Sequence, residues 1–392
     1  MTLPVFANCG NQDFWSERNC LSGLFGIDLK RTPGYRLQAV PIAGNTCNGP
    51  FSRRKRPLSS RQSFSESDRS TPCNLCGERH FLRAADLDRR GNPLETVLCQ
   101  NCGLVSHGSI PSDAELSEYY EGQYRDDYHG EFTPSPYRVL REWKRGEQLV
   151  DMLGHRIPHS AQVMEIGSGI GCTVKNFDLA GFQASGIEPG RGFCQFSRDQ
   201  LHAEIQQSSL DQLEGKANQQ LVLLVHVLEH LNDPSSALRK LRQLMATDGL
   251  CYIEVPNFSA PHAAPGKQFH FAHIYNFTPA TLTMLAQANG MVVRQLFSSA
   301  SDKNLQILLA RGPLPVEGET PDVDSTSFSL SLRALTQYNS LGYHLRWRYL
   351  RDRASTLLRH AGNRWRAPAR LENLLLRCQG MTTETRPSRQ AA

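Results

Sequence analysis

No stretch of this chain approaches the roughly 18–20 consecutive apolar residues needed to cross a bilayer. The N-terminus has no basic start followed by an apolar core and a small-residue cleavage site. Together these absences lead to the expectation of a soluble, cytoplasmic protein. The 11 cysteines are odd in number and four fall in two C-x-x-C pairs, which argues against a disulfide framework. Apolar residues make up only 39% of 392, low for a compact globular chain, so part of the length is expected to pack poorly.

The net charge of +5 is unevenly distributed. Residues 1–70 carry 10 basic against 5 acidic side chains, and residues 331–392 carry 12 Arg against 3 acids. The stretch between them is net acidic, so the basic ends say nothing about a central site. Solvated tails are the plain reading; attraction to a polyanion or an anionic surface is the functional one. Residues 1–70 are poor in periodicity and rich in Gly, Asn, Ser and Arg, with Arg53-Arg54-Lys55-Arg56 lacking interleaved aromatics, and are expected to be a disordered leader.

Residues 71–107 hold Cys73-x-x-Cys76 and Cys99-x-x-Cys102, separated by 22 residues and each followed by glycine. Two such knuckles suit a tetrahedral four-thiolate zinc site of the ribbon kind, with a hairpin over Phe81–Ala84 and Thr96–Leu98. No acid or histidine stands beside the thiolates in a position for an open coordination site, so the zinc would be structural. Residues 108–160 read as a helical connector or lid. It carries an aromatic stripe at Tyr119, Tyr120, Tyr124 and Tyr128, and a helix from Tyr137 to Leu153 that stops at Gly154.

The stretch VMEIGSGIG, Val163 to Gly171, combines the end of an apolar strand with glycines at 167, 169 and 171. Glycine there permits positive φ and close approach of backbone to a ligand. A second strand from Phe182 ends in Glu188, whose carboxylate suits the two hydroxyls of a ribose. Alternating helices and strands continue to residue 312, with Leu221–Val227 apolar throughout, as in a strand covered on both faces. The expected fold is α/β: a doubly wound, Rossmann-like sheet over residues 161–312, preceded by a small ribbon and followed by a helical tail over 325–392. No Lys-Ser/Thr follows the glycines, which excludes a P-loop. Glu165, two residues before Gly167, opposes a diphosphate and favours a ligand with a cationic end. S-adenosylmethionine has an ammonium, a sulfonium, a ribose and no phosphate.

At this point the sequence resembles the class I S-adenosylmethionine-dependent methyltransferases, over about residues 71–312. The resemblance rests on MEIGSGIG, GIEPG at 186–190, HVLEHLNDP at 226–234, YIEVPN at 252–257 and HIYNFT at 273–278. With the cysteine ribbon in front it is similar to the sugar C-methyltransferase branch, whose large C-terminal domain is replaced here by a short Arg-rich tail. The resemblance implies a seven-stranded sheet with Glu165, Gly167, Ser168, Gly169, Gly171 and Glu188 holding the cofactor. Ser209, Leu210 and Asp211 would lie near the adenine, and His226 near the methionine part.

Methyl transfer to a hydroxyl or a carbon acid needs a base. His226, Glu229 and His230 after the fourth strand, and His270 and His273 in FHFAHIYNF, are the candidates; a hydrogen-bond network at a helix entry or packed histidines are the structural alternatives. A zinc site from His270 and His273 alone lacks a third ligand. The amphipathic stripe of Tyr338, Leu341, Leu345 and Tyr349, flanked by Arg346, Arg348, Arg351 and Arg353, suits either docking on the sheet or peripheral contact with an anionic membrane. Leu371, Leu374 and Leu375 would lie on a second, shorter helix. The expected acceptor is a small molecule or glycan, methylated on oxygen or carbon. The alternatives are an RNA methyltransferase, disfavoured because no Asn-Pro-Pro-Tyr-like motif follows the fourth strand, and a zinc-ribbon binding protein with a degenerate methyltransferase domain. The oligomeric state is not legible.

Overall fold

The computed structural model describes residues 65–68, 71–121, 134–214, 217–260, 263–299, 301–314, 322–363 and 366–380. The leader expected before residue 65, and Tyr124 and Tyr128 of the aromatic stripe, lie outside them. The chain divides into two units, Met1–Ser63 and Phe64–Ala392, and every helix and strand named below belongs to the second.

Strands β1 (Glu66–Asp68), β2 (His80–Leu87), β3 (Pro93–Cys99) and β4 (Val105–His107) form an antiparallel sheet around the cysteine knuckles. Helix α1 (Asp113–Glu121) follows, then α2 (Pro136–Leu153) with proline in its first turn. A βα alternation comes next: β5 (Gln162–Ile166), α3 (Cys172–Leu179), β6 (Gln183–Ile187), α4 (Arg191–Phe196), β7 (Ile205–Gln206), β8 (Gln219–Val225), α5 (Pro234–Leu244) and β9 (Met245–Pro256). The short β10 (Tyr275–Asn276) precedes α6 (Pro279–Ala288), β11 (Met291–Leu296) and β12 (Asn304–Arg311). The starts of the two later helices are written in the sequence. Asp233 caps α5 by accepting from Ser236 N at 3.0 Å. Thr278 and Thr281 close a reciprocal capping box on α6.

The large sheet has the order β11-β12-β9-β8-β5-β6-β7. Strands β5 to β9 run parallel and β12 enters antiparallel between β11 and β9. This is the doubly wound, seven-stranded sheet. Its chain order reverses between β5 and β8, and the carboxyl ends of those strands open the crevice where such sheets bind ligands. Leu221 to Leu224, Cys251, Ile253 and Val255 are buried, as an apolar strand flanked by helices on both faces requires.

Two expectations shift. Strand β8 stops at Val225 rather than Val227, because His226 adopts φ +56° and turns the chain out of the sheet. The ribbon is less separate than its sequence block suggests. Its sheet takes a fifth strand, β10, from beyond the methyltransferase-like β9: Tyr275 pairs with Ser106 and Asn276 with Val105. Val97, Cys99 and Leu104 pack in the same apolar cluster as Val222, Ile253, Tyr275 and Phe277.

The C-terminal stripe is also broken. After α7 (Ser327–Thr336), Leu341 falls in α8 (Ser340–His344) and Tyr349 in α9 (Trp347–Asn363), with Tyr338 and Leu345 between helices and Asn339 capping α8 through Gly342 N at 2.7 Å. Leu341, Leu345 and Trp347 are exposed, and Arg346 stacks 4.2 Å from the Tyr343 ring. Helix α10 (Ala367–Cys378) instead docks, burying Leu374 and Cys378 in the cluster that holds Leu149 and Phe177. Among the described residues no helix is long and apolar enough to cross a membrane.

Helix α7 sits on the second knuckle. Ser327 Oγ donates to the Cys102 carbonyl at 2.8 Å, and a Cβ on Gly103, whose φ is +74°, would meet Ser327 O at 2.6 Å. Gly103→Ala is therefore expected to cost about 2–4 kcal/mol in denaturant unfolding, since left-handed strain and overpacking combine. Gly91→Ala, at φ +94° in open space, should cost only the backbone part, about 1–2 kcal/mol.

Candidate active site at the carboxyl edge of the large sheet

The glycine loop leaves β5 with Gly167, Gly169 and Gly171 at φ +68°, +53° and +76°. Two of them are packed: a Cβ on Gly167 would meet Val227 Cγ2 at 2.6 Å, and one on Gly171 would meet Ser197 Oγ at 2.8 Å. Nothing lies within 4 Å of the Cβ position of Gly169, so that face of the loop is open to a ligand. Ser168 braces the loop, its N–H donating to Ile187 O at 2.9 Å. Glu188, just past β6, accepts from Gly169 N at 2.9 Å and Gly190 N at 2.8 Å. Burial raises its pKa, and these two N–H groups offset part of the rise. Leu210 is buried in the apolar cluster beneath this edge.

Glu165 is 5% exposed and its Oε2 has no hydrogen-bond partner. Burial pushes it up to about 8, against the opposing pull of a hydrogen bond from Thr173 and of Arg145. Glu165 is thus a buried carboxyl with an unmet oxygen, one residue from the end of β5.

The next feature gave little sign in the sequence. Glu254 of β9 is 3% exposed and gathers Tyr252 Oη at 2.9 Å, Gln306 Nε2 at 3.1 Å and Asn304 Nδ2 at 2.6 Å. His226 Nε2 lies 3.4 Å from its Oε1 and Arg145 Nη2 at 3.9 Å. Burial opposes ionisation of Glu254, but His226 and Arg145 outweigh it and hold the carboxyl well below the usual range. Alternation in YIEVPN puts Tyr252 and Glu254 on one face; only the pairing of Glu254 with Gln306 across β9 and β12 reveals the cluster.

His226 joins this group to the loop after β8. Its Nδ1 lies 3.2 Å from Glu229 Oε1. Burial disfavours the imidazolium, yet Glu229 and Glu254 together push His226 up to about 9. At neutral pH it is a donor with no lone pair for a proton. Glu229 is 1% exposed, with Oε2 unpartnered. His230 Nδ1 lies 2.7 Å from the Ala272 carbonyl. The His230 and His273 rings are 4.9 Å apart, and those of His270 and His273 3.8 Å apart. Burial lowers His230 and lowers His273 further, with neighbouring histidines adding to the latter. The structure thus gathers His226, Glu229, His230 and His273 at one edge and leaves the last two neutral.

The four ribbon cysteines converge as well, with Cys73 Sγ to Cys102 Sγ and Cys76 Sγ to Cys99 Sγ each 3.6 Å. Asn74, inside the first knuckle, donates to Asp233 Oδ1 at 3.3 Å and meets Ser235 Oγ at 3.0 Å. The knuckle therefore holds the start of α5, directly after Glu229 and His230. A hollow of about 360 Å³ lined by Pro136, Leu371, Leu375 and Gln379 lies on the helix layer, away from this edge.

Residues 138–296, from α2 to the end of β11, match a family model described as a methyltransferase domain. That stretch is a methyltransferase domain, and the chain is an enzyme. No curated protein matches. Solved structures with similarity include the 1,6-didemethyltoxoflavin-N1-methyltransferase of Burkholderia thailandensis, 16% identical over 54% of this chain and 96% of that one, with a TM-score of 0.41. The magnesium protoporphyrin IX methyltransferase of Synechocystis is 15% identical over 52% and 100%, TM-score 0.37. The CcbJ methyltransferase of Streptomyces caelestis is 12% identical over 43% and 90%, TM-score 0.38.

The charge states carry a pH signature. Between 4.5, the ordinary value, and about 8, folded Glu165 keeps a proton that the unfolded chain has released. Stability of the ligand-free protein is thus expected to fall as pH rises through that window. His226, raised from 6.5 to about 9, contributes stability below 6.5 that is lost as pH rises through 9, in the same direction. Urea unfolding of Glu165→Gln should show a smaller loss of stability than the parent as pH rises from about 5 to 8; an unchanged profile would contradict the assignment.

Proposed function

We propose that the enzyme transfers a methyl group from S-adenosylmethionine to a small-molecule or glycan acceptor, on oxygen or carbon. The observation that carries this reading is Glu188, bonded to Gly169 N beside that glycine's open Cβ face, with a second buried acid, Glu165, on the strand before the loop. The buried, unmet oxygen of Glu165 suits an ammonium, and Glu188 suits vicinal hydroxyls.

The cofactor supplies a methyl on a sulfonium, already attached to a good leaving group. The chain's part is to orient and to exclude water. Glu165 would anchor the amino-acid end, Glu188 the ribose, and the left-handed glycine loop would lie between them. The His226–Glu254 ion pair would stiffen the wall on the other side. His230 and His273, neutral at working pH, are the groups that would meet the acceptor, to take its proton or to hold its oxygen. The sugar-acceptor form of this reading draws only on the cysteine ribbon, so the acceptor is kept at the level of a small molecule or glycan.

The four cysteines are proposed to hold one structural zinc. A tetrahedral ion with bonds of about 2.3 Å places its sulfurs about 3.8 Å apart, close to the 3.6 Å separations here. All four positions are filled by thiolates, which leaves none for substrate.

Two measurements test these statements. Isothermal calorimetry should detect S-adenosylmethionine binding that Glu188→Ala weakens by about 10–100-fold, the worth of charge-assisted hydrogen bonds of about 1.5–3 kcal/mol. Absence of binding to the folded wild-type chain, or preference for a nicotinamide dinucleotide, would end the reading. Elemental analysis should find about one zinc per chain, lost in Cys99→Ser; a folded, zinc-free protein after native purification would refute the ribbon site.

A further inference from the structure

Glu229, His230 and His273 offer three ligand atoms that all lie within 4.8 Å of one another. Two come from the turn after β8, and the third from the loop before β10. The sequence alone paired His273 only with His270, and the missing ligands arrive through the fold. We propose that these three side chains bind a divalent first-row metal ion, separate from the four thiolates, and that this ion holds the acceptor's oxygen.

Several observations converge on this site. Glu229 is buried, with Oε1 turned to His226 and Oε2 meeting no partner. A carboxylate oxygen in that condition is far more costly than one that ligates a cation. His230 Nδ1 faces the Ala272 carbonyl at 2.7 Å. A carbonyl only accepts, so Nδ1 carries the hydrogen and Nε2 the lone pair, 3.9 Å from Glu229 Oε1. A backbone carbonyl fixing the tautomer of one imidazole, and a hydrogen-bonded partner on the carboxylate, is the outer arrangement that orients metal ligands. Neighbouring donors around an ion with bonds of about 2.1 Å stand about 3.0–3.4 Å apart, so from separations of up to 4.8 Å the three side chains close in by rotamer adjustment when they bind it. Two imidazoles and one carboxylate leave open positions, and this donor set suits manganese, iron, cobalt or zinc.

The backbone behind His273 is tied down as well. His107 N donates to Ile274 O at 3.0 Å, and β10 begins one residue later.

The metal's catalytic part rests on the methyl-transfer reading; metal binding does not. With an acceptor hydroxyl bound, the ion lowers the pKa of that hydroxyl and its proton leaves to solvent. The oxygen then forms a bond to the methyl carbon as the carbon–sulfur bond breaks, its electron pair staying on sulfur as a neutral thioether.

The test uses the full chain with its ribbon loaded with zinc, titrated with Mn2+ and followed by electron paramagnetic resonance. About one bound Mn2+ per chain is expected. Glu229→Gln and His273→Ala should each weaken it by at least about tenfold, a loss seen even for outer partners of such sites, with circular dichroism confirming the fold. Should a variant not fold, Co2+ added to the unmutated chain serves instead. Weak d–d bands without thiolate charge transfer support the site, and no bands beyond the thiolate ones overturn it. Unchanged Mn2+ affinity in folded variants, or no Mn2+ bound at all, overturns it as well. Calorimetry with S-adenosylmethionine on metal-stripped chain separates the two readings. Cofactor binding without a metal site leaves methyl transfer standing, and a metal site without cofactor binding leaves only the metal.

Discussion

The left-handed turn at His226 is the constraint on which the rest of the edge depends. Its N–H donates to Glu254 O at 2.8 Å, and its ring lies between the carboxylates of Glu229 and Glu254. A non-glycine residue at φ +56° is strained, and the ion pairs around it supply the compensation. By leaving the sheet there, the chain lays Val227 against Gly167 and turns Glu229 and His230 over the sheet's end. The glycine loop and the loop after β8 are thereby fixed by one backbone event. A β-strand continued through Val227 would have abolished both.

The cysteine ribbon works on the same edge from outside. Asn74 reaches the cap of α5, β4 pairs with β10 just after His273, and Tyr275 Oη donates to Asn232 O at 2.9 Å. Asn232 in turn bonds Asp113 Oδ1 at 2.6 Å. The small sheet thus braces the loops at the carboxyl edge of the large one, and a structural zinc at its cysteines, as proposed, would add stiffness rather than reactivity.

What could be read from the chain alone was whatever local chemistry dictates. Three glycines after an apolar strand have few other uses, so the loop, Glu165 and Glu188 were legible, as were the four cysteines and the apolar β8. Strand ends were less so: nothing local announces that His226 takes positive φ. Glu254 was hidden because an acid in an alternating strand reads as an outward-facing one, and its burial depends on Gln306 and Asn304, some fifty residues on. The C-terminal stripe misled for a different reason. Its apolar spacing is real, but Asn339 caps a new helix just after Tyr338, and that helix ends at His344 before Tyr349 is reached, so local capping outweighs periodicity over so short a run.

The pairing of Ser106 with Tyr275 has a consequence for how the molecule is made. Synthesis delivers the cysteine knuckles first, yet the sheet around them lacks its last strand until β9 and the loop beyond it have emerged. The contact of α7 with Gly103 waits longer still. Closing such distant pairs is entropically slow. During that interval β4 presents an unpaired edge, the kind of surface that joins neighbouring chains. An early-bound metal ion would hold the knuckles in register while the edge waits, making the ribbon a guardian of the nascent chain as well as a brace for the finished one.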